Sequence, residues 1–255
     1  MAIKFIGVSF NKINNASFDI ESGKITGIIG PVNSGKSDLV DLISEIVEPT
    51  VGDVNITSKS IGVVYQDIYD QFFYNNIKDE FLLKLKSHHK KNIPKKILDS
   101  LKMVGLSSKI LDRSPYELSL CEQKKLSLAL CLCVNPKIIL LDEIFDGIDL
   151  KTKNNFIKLI RMLKLRYNKT IIILSKDVDL VHNLCDNVIL INEGCIIKMG
   201  DKYDVFTDEK TLKKCNLPIP KVIKFSKMVK EMKNIDLGYR DDINDLIKDI
   251  YRFVR

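Results

Sequence analysis

The stretch that decides the fold runs from Lys24 to Leu42 and reads KITGIIGPVNSGKSDLVDL. An apolar run of strand type ends in a glycine-rich turn, and the turn passes directly into a helical pattern. Within it, residues 30–37 match the spacing G-x-x-x-x-G-K-[ST] of a phosphate-binding loop. The alternative is a glycine-rich turn that only caps an ordinary helix, but the strand, loop and helix follow in the order that the motif requires. The stretch therefore predicts a nucleoside triphosphate site.

The residue types of this loop suit phosphate chemistry. Gly35 lets backbone N–H groups approach the phosphates, and a helix that begins near Lys36 favours negative charge there. The Lys36 ammonium can reach the outer phosphates, and the Ser37 hydroxyl can hold Mg²⁺. We expect Mg²⁺ to accompany the nucleotide.

The composition is that of a globular protein: 255 residues, 45% hydrophobic and 29% charged. No run approaches the roughly 20 apolar residues of a membrane span, and the first ten residues lack the features of a signal peptide. We therefore expect a cytoplasmic chain unless another subunit brings it to a membrane. The net charge of +7 is compatible with nucleic acid or an anionic membrane. A solvated lysine-rich surface explains the charge better, because no basic stripe interleaved with aromatic residues occurs. The six cysteines form no CxxC pair, which favours reduced and mostly buried thiols.

Apolar runs of strand type alternate with helical patterns along the chain. Two runs, 3–10 and 17–20, are joined by the polar NKINNA at 11–16. Further runs are SIGVVY at 60–65, KIILLDE at 137–143, TIIILS at 170–175, VILIN at 188–192 and GCIIKMG at 194–200. The pattern is helical from Phe72 to about Leu132, from Asn154 to Leu165, and again beyond Tyr203. This alternation predicts an α/β fold with a mostly parallel, covered sheet.

Two acidic residues end the run KIILLDE. A carboxylate at the end of a buried strand, here Asp142, is suited to hold Mg²⁺ through water beside a phosphate loop. Glu143 follows directly and can polarise an attacking water. Gln66, at the end of another strand, can contact the metal or the water. Adjacent acids at a strand end can also be ordinary turn residues, and a glutamine alone carries little information.

These motifs, in their order, resemble the ATP-binding cassette (ABC) ATPases. The resemblance rests on GPVNSGKS, Gln66, YELSLCEQKK, IILLDE, GID and ILSKD, and it covers nearly the whole chain. A narrower resemblance, to the ATPase subunits of energy-coupling-factor transporters, rests on VVYQDIYDQFF with its second glutamine Gln71, on SPYELS, and on NLPIPKVIKFSKMVKEM. Those transporters import vitamins and transition metals.

The resemblance implies a P-loop NTPase fold with a mostly parallel core sheet, an antiparallel β subdomain, a helical subdomain and a short C-terminal helical extension. The nucleotide-binding domain would cover residues 1–203, with the helical subdomain at about 72–132. The extension at 204–255 would help hold two ATPases together. Two such subunits would enclose two ATP molecules head to tail and drive a membrane subunit docked near the Gln66 segment.

Site roles follow from the same resemblance. Ser37, Gln66 and Asp142 would serve Mg²⁺. Glu143 would be the catalytic base, and Asp149 would belong to the loop that crosses the dimer interface. The nucleotide would be bound by the phosphate loop of one chain and the signature segment of the other. The candidate nucleotide-binding residues are Gly30, Asn33, Ser34, Gly35, Lys36, Ser37, Asp38, Asp142, Ser119 and Asp149.

The signature segment departs from the family pattern LSGGQ. Leu118 and Ser119 are followed by Leu120, Cys121 and Glu122. Glycines at these positions let backbone N–H groups approach the partner's γ-phosphate. Side chains here obstruct that approach, Glu122 adds an unfavourable charge, and loss of one such donor can cost about 10²–10³ in rate.

Three further departures concern single residues. Lys176 stands where the family has a switch histidine, and it donates hydrogen bonds but cannot accept them; a substitute for the histidine and a solvated lysine are equally compatible with the sequence. Asn33 replaces a glycine and tolerates left-handed backbone. Asp38 replaces a threonine-like residue, and its carboxylate suits the helix dipole but would repel the nucleotide.

These observations predict a partly degenerate ATPase subunit of an energy-coupling-factor importer, at the cytoplasmic face of the membrane. We expect three partners: a second, non-identical ATPase, a membrane coupling subunit and a substrate-binding membrane subunit. One alternative is a subunit that binds nucleotide without hydrolysing it and so completes the dimer. Another is a soluble ABC protein acting on nucleic acid, which we do not expect, because the chain has no room for the long insertions or duplicated cassettes of such proteins.

Overall fold

A computed structural model describes residues 1–68, 71–233, 238, 240–241, 245–248 and 251. The chain forms two compact units. The first comprises Met1, residues 3–55 and 173–255, and the second comprises Ala2 and residues 56–172. The strands are β1 (Ile3–Phe10), β2 (Ile13–Ile20), β3 (Ile25–Ile29), β4 (Val51–Ile56), β5 (Ile61–Val64), β6 (Ile138–Asp142), β7 (Thr170–Ser175), β8 (Asn187–Asn192) and β9 (Cys195–Asp201). The α-helices are α1 (Lys36–Ile43), α2 (Ile77–Ser87), α3 (Ile93–Val104), α4 (Leu120–Leu132), α5 (Leu150–Tyr167), α6 (Val178–Leu184), α7 (Lys202–Phe206), α8 (Glu209–Lys214) and α9 (Lys221–Lys233).

The first unit begins with an antiparallel sheet in the order β2-β1-β4. Phe10 pairs with Ile13, so only two residues separate β1 from β2. The expectation that the polar NKINNA joins two short strands was therefore wrong: most of it belongs to β2. The reason is a β-bulge: Asn15 has φ 47° and the register shifts between Val8 and Phe10, so the adjacent Asn14 and Asn15 are both exposed. They interrupt the alternation by which a strand is recognised in a sequence.

The phosphate loop follows a buried strand of this first unit. β3 is buried along its whole length and pairs in parallel with β8, with Ile29 beside Leu190. β8 in turn pairs antiparallel with β9. The boundary between the two units falls within β7, after Ile172. Parallel strands that are apolar on both faces confirm the predicted α/β class.

The C-terminal part of the first unit is helical, as the sequence predicted, through α7, α8 and α9. Asp201 and Asp208 cap the starts of α7 and α8 with their side chains. The Lys221 N–H at the start of α9 donates to the Asp179 carboxylate of α6 at 2.7 Å, which joins that helix to its own unit. The proposed boundary at residue 203 and the dimerisation role of the extension stay predictions.

The second unit joins a pair of parallel strands to helices. β5 pairs with β6 in parallel register, with Val64 beside Leu141. Between them the described residues form α2, α3, short 3₁₀ turns at Ser108–Ile110 and Pro115–Glu117, and α4, which agrees with the helical pattern predicted from Phe72 to about Leu132. α5 is longer than the predicted 154–165 because Asp149 caps its start and Asn168, in left-handed conformation, ends it. Within the part of the chain that the structure describes, no helix has the length and apolar character needed to cross a bilayer.

Candidate functional site

The phosphate loop joins β3 to α1 through backbone that favours glycine and asparagine. Gly35 is the N-cap of α1 with φ 99°, and Asn33 has φ 62°. A Cβ on Gly30 would lie 2.2 Å from the Ile191 carbonyl oxygen, so only glycine fits where the loop leaves β3. With its φ of 62°, Asn33 adopts the left-handed backbone that asparagine was expected to tolerate at this position.

Two polar groups of the loop fit an anionic ligand. The Ser34 side chain is 3% exposed, and among the described residues its buried hydroxyl has no hydrogen-bond partner. Such an orphaned hydroxyl is costly unless a ligand or solvent satisfies it. The Lys36 ammonium donates to the carbonyl oxygens of Gly30 and Pro31 at 2.8 and 2.9 Å, which holds the charge on the loop itself. Together with the helix start, these groups match the chemistry of a phosphate.

The first turn of α1 carries Ser37 and Asp38. Ser37 is exposed, so its hydroxyl is accessible to a metal ion. The Asp38 carboxylate accepts a hydrogen bond of 2.8 Å from the Asn11 side-chain amide, in the turn between β1 and β2. Asn11 was not among the predicted site residues, because a partner 27 residues away carries no local signal. This pairing satisfies one oxygen of the carboxylate but leaves its negative charge at the loop.

In the second unit, the two predicted acids end β6. Asp142 is 7% exposed and Glu143 is 6% exposed. Glu143 has φ 45°, a conformation that an L-residue other than asparagine or aspartate adopts rarely and at a cost. The buried Lys124 ammonium of α4 donates to the Glu143 carbonyl oxygen at 3.2 Å and to that of Asp146 at 2.5 Å. Lys124 was not among the predicted site residues, because nothing in the local sequence distinguishes it from the adjacent Lys125.

The two glutamines after β5 have different surroundings. Gln66 is exposed and leaves β5 at the edge where β6 also ends, because Val64 lies beside Leu141. Gln71 donates to the carbonyl oxygens of Tyr65 and Asp67 at 3.0 and 2.9 Å, and its own oxygen accepts from the Ser127 hydroxyl of α4. Gln71 thus holds the segment in place, while Gln66 is available to a ligand. The intervening residues 69–70 of VVYQDIYDQFF lie outside the described residues.

The signature segment forms a capping box at the start of α4. The Glu122 carboxylate accepts from the Ser119 N–H at 3.0 Å and from the Ser119 hydroxyl at 2.8 Å. The Glu122 N–H donates back to the Ser119 hydroxyl at 3.4 Å. These hydrogen bonds from Ser119 lower the pKa of Glu122 below its ordinary value. Ser119, predicted to bind the partner's nucleotide, therefore uses its hydroxyl within its own chain.

Two remaining candidates lie on the surface of their own units. Asp149 caps α5 and accepts from the Thr152 N–H at 2.9 Å and from the Thr152 hydroxyl at 2.7 Å, which lowers the pKa of Asp149. Lys176 follows β7 directly and is exposed, in the first unit. Its exposure is compatible both with a substitute for the switch histidine and with a solvated lysine.

Comparison with known proteins identifies the family to which this chain is similar. Residues 13–146 match the model of the ABC transporter family. The chain is 32% identical over 250 residues to the energy-coupling factor transporter ATP-binding protein EcfA1 of Mycoplasma mobile, covering 92% of this chain and 89% of that one. It is 30% identical over 244 residues to EcfA2 of Staphylococcus epidermidis, covering 89% and 85%. The structure of cbiO1 from Clostridium perfringens, part of the ABC transporter complex cbiONQ, matches with a TM-score of 0.71 and 26% identity over 89% of this chain and 98% of that one.

Proposed function

Since this chain belongs to the ABC transporter ATPase family, among the ATP-binding subunits of energy-coupling factor transporters, we propose that it hydrolyses Mg-ATP at a reduced rate to drive uptake of a vitamin or metal ion. The observation that supports this most is the phosphate loop. Gly35 starts α1 with left-handed backbone, and the buried Ser34 hydroxyl has no hydrogen-bond partner in the described part of the chain. The loop therefore supplies backbone N–H groups, a hydroxyl and the Lys36 charge to a triphosphate.

The proposed roles of the other residues follow from their chemistry. Oxygen atoms of Ser37 in the first unit, and of Gln66 and Asp142 in the second, are of the kind that Mg²⁺ prefers. When bound, Mg²⁺ would neutralise phosphate charge. Glu143, held at the end of β6, would take a proton from the attacking water. Lys176 would place a positive charge near the phosphates in place of the switch histidine.

The reduced rate is proposed from the signature segment. The Glu122 carboxylate already accepts hydrogen bonds at the start of α4, and a second chain's γ-phosphate would meet that negative charge. We therefore propose a second, non-identical ATPase whose own signature faces this chain's phosphate loop. A membrane coupling subunit and a substrate-binding membrane subunit complete the proposed complex, which holds this chain at the cytoplasmic face of the membrane. Nucleic acid is not among the proposed partners.

The substitution Glu143→Gln tests the hydrolytic role. General-base catalysis contributes typically about 10²–10⁴-fold, so we expect ATP turnover of the purified complex to fall at least about a hundredfold while Mg-ATP binding stays. Glu193→Gln is the matched control, because Glu193 also follows a strand and has φ 48°, but it is exposed. If Glu143→Gln and Glu193→Gln give equal turnover, Glu143 is not the base.

The second candidate function is nucleotide binding without hydrolysis, in which the chain only completes the dimer. The capping box on Ser119 favours it, since that contact withdraws a hydroxyl from the partner's nucleotide. Binding and turnover measured separately distinguish the two candidates. Tight Mg-ATP binding by this chain, with no turnover at its own phosphate loop in the complete complex, would support the binding role.

A further inference from the structure

Three side chains at the start of α4 contact the turn that follows β6 in the same chain. Leu120, Cys121 and Lys124 lie on α4, and the turn runs through residues 143–149. We propose that these three side chains form a clamp, the α4 clamp, and that Lys124 is a positioning residue for Glu143. The inference rests on the proposed function, because it assigns a task to the base named there.

Lys124 makes the central contact of the clamp. Its side chain is 5% exposed, and its ammonium donates to the carbonyl oxygens of Glu143 and Asp146. A buried ammonium is costly unless hydrogen bonds satisfy it, so this lysine is a strong constraint on the backbone that it binds. The two carbonyls belong to the first and last residues of a tighter turn, 143–146, within that segment. A hydrogen bond of 3.1 Å from the Asp146 N–H to the Glu143 carbonyl oxygen closes this tighter turn.

The turn needs such a constraint because of its backbone. Glu143 is held at φ 45°, and a residue in that conformation persists only where its surroundings over-determine it. A small displacement of a catalytic group can cost about 10²-fold in rate. A charge that fixes the Glu143 carbonyl therefore fixes where the candidate base stands.

The other two contacts of the clamp reach the far end of the turn. The Cys121 side chain lies close enough to the Asp149 carboxylate to help lower the pKa of Asp149, after the larger contributions from Thr152. Leu120 lies against Gly147, where an added Cβ would be 3.0 Å from the leucine Cδ2 atom. Glycines at positions 120 and 121 would supply neither contact. The departures from LSGGQ thus add intrachain contacts to the turn that carries Glu143.

The alternative is that Lys124 is only a structural tie. To distinguish the two, Lys124→Met removes the ammonium and keeps the volume, while Lys124→Arg keeps donors. Lys125→Met, the next residue on the same helix, is the matched control. In the purified complex we expect Lys124→Met to lower kcat for ATP by about tenfold or more with KM within about twofold, and Lys124→Arg to restore part of the loss.

Combination with Glu143→Gln makes the test specific. If Lys124 acts through Glu143, Lys124→Met lowers turnover by less than about twofold in the Glu143→Gln background, because coupled residues are not additive. Independent, multiplying effects would overturn the positioning role. A normal rate in Glu143→Gln would refute the base itself, and with it the proposed function, whereas loss in Glu143→Gln with none in Lys124→Met would refute only the clamp.

Amide hydrogen exchange of the full chain gives an outcome that does not depend on activity. We expect the Asp146 amide to exchange at least tenfold faster in Lys124→Met than in Lys125→Met. The Leu106 amide, bonded to the Leu101 carbonyl oxygen at 2.9 Å in the same unit, should be unchanged. Equal exchange of Asp146 in the two variants would overturn the clamp.

Discussion

Two helices of this protein begin in opposite ways. α1 starts at Gly35, which has no side chain to cap the helix, and the loop before it contains the orphaned Ser34 hydroxyl. α4 starts at Ser119, and the Glu122 carboxylate returns to that residue's N–H and hydroxyl. Both helices present the positive end of a helix dipole. The comparison teaches that the dipole alone does not make a nucleotide site: the residues at the cap decide whether the helix start takes a ligand or satisfies itself.

The charges in the two first turns reinforce the contrast. α1 carries Asp38, whose carboxylate accepts from Asn11 on another element. α4 carries Glu122, whose carboxylate stays on the helix start. An acidic side chain in the first turn stabilises either helix through the helix dipole. Only at α4 does that side chain also accept a hydrogen bond from the N-cap residue.

Gly35→Ala should have the largest effect on this contrast. An alanine there would hold φ 99° at a cost, and its Cβ would lie 2.8 Å from the Ile13 Cδ1 atom. The loop would shift, and the loss of one charge-assisted hydrogen bond to phosphate corresponds to about a tenfold to hundredfold loss of Mg-ATP affinity. Titration of the purified chain with Mg-ATP measures this loss of affinity.

Gly105→Ala is the control for that variant. Gly105 also has a positive φ, 74°, at the end of α3, but nothing lies within 4 Å of its added Cβ. Both variants should lower the free energy of unfolding by about 1–2 kcal/mol, because each forces an L-residue into left-handed backbone. Only Gly35→Ala should also lower the affinity for Mg-ATP. Equal affinities in the two variants would contradict a phosphate site at α1.

Glu122→Gln tests the self-capped helix through its pH dependence. The glutamine keeps hydrogen bonds but removes a charge that stabilises the helix start by about 0.3–1 kcal/mol. Folding lowers the pKa of Glu122 from its ordinary value of 4.5 because Ser119 donates to it. The carboxylate therefore contributes stability above pH 4.5, and this is lost as the pH falls through the lowered pKa.

Urea unfolding at several pH values measures that difference. The native chain should be more stable than Glu122→Gln at pH 7, and the gap should close in acid. Glu231→Gln, an exposed position on α9, is the control and should show a smaller gap at pH 7. A gap that is constant with pH would mean that the Glu122 charge does not stabilise α4.

Asp38→Asn should have a small effect, and one of opposite sign to that of Gly35→Ala on the affinity for Mg-ATP. It removes a negative charge from the phosphate loop and keeps an acceptor for Asn11. At about 4 Å in water a unit charge pair is worth about 1 kcal/mol, so Mg-ATP should bind up to about fivefold more tightly. Asp41→Asn, nearly one helical turn further along α1, serves as the control and should change affinity less. Weaker binding by Asp38→Asn would show that its carboxylate helps the site rather than opposing it.

Much of the site could be predicted because its signals are local. The phosphate loop and the acids at the end of β6 each lie within a short segment whose spacing reflects one turn or one strand end. The cap at Asp149 was not predicted, because the helical pattern was recognised only from Asn154. The capping box was also readable, because Ser119 and Glu122 have the S-x-x-E spacing of a helix start, yet the family pattern drew attention to missing glycines instead. The second strand was predicted too short, as 17–20 rather than Ile13–Ile20, because two adjacent exposed asparagines interrupt the alternation that marks a strand.

By itself, the sequence determined that this protein has a phosphate loop between a buried strand and a helix within an α/β chain, and the order of its motifs indicated a resemblance to the ABC ATPases. It could do so because glycine, lysine and serine at fixed spacing encode local backbone and charge. Only the tertiary structure decided that Asn11 pairs with Asp38, that Gln71 rather than Gln66 anchors the segment after β5, and that Lys124 holds the Glu143 turn. Those contacts join residues distant in the chain, and their partners are set by packing, which no local spacing records.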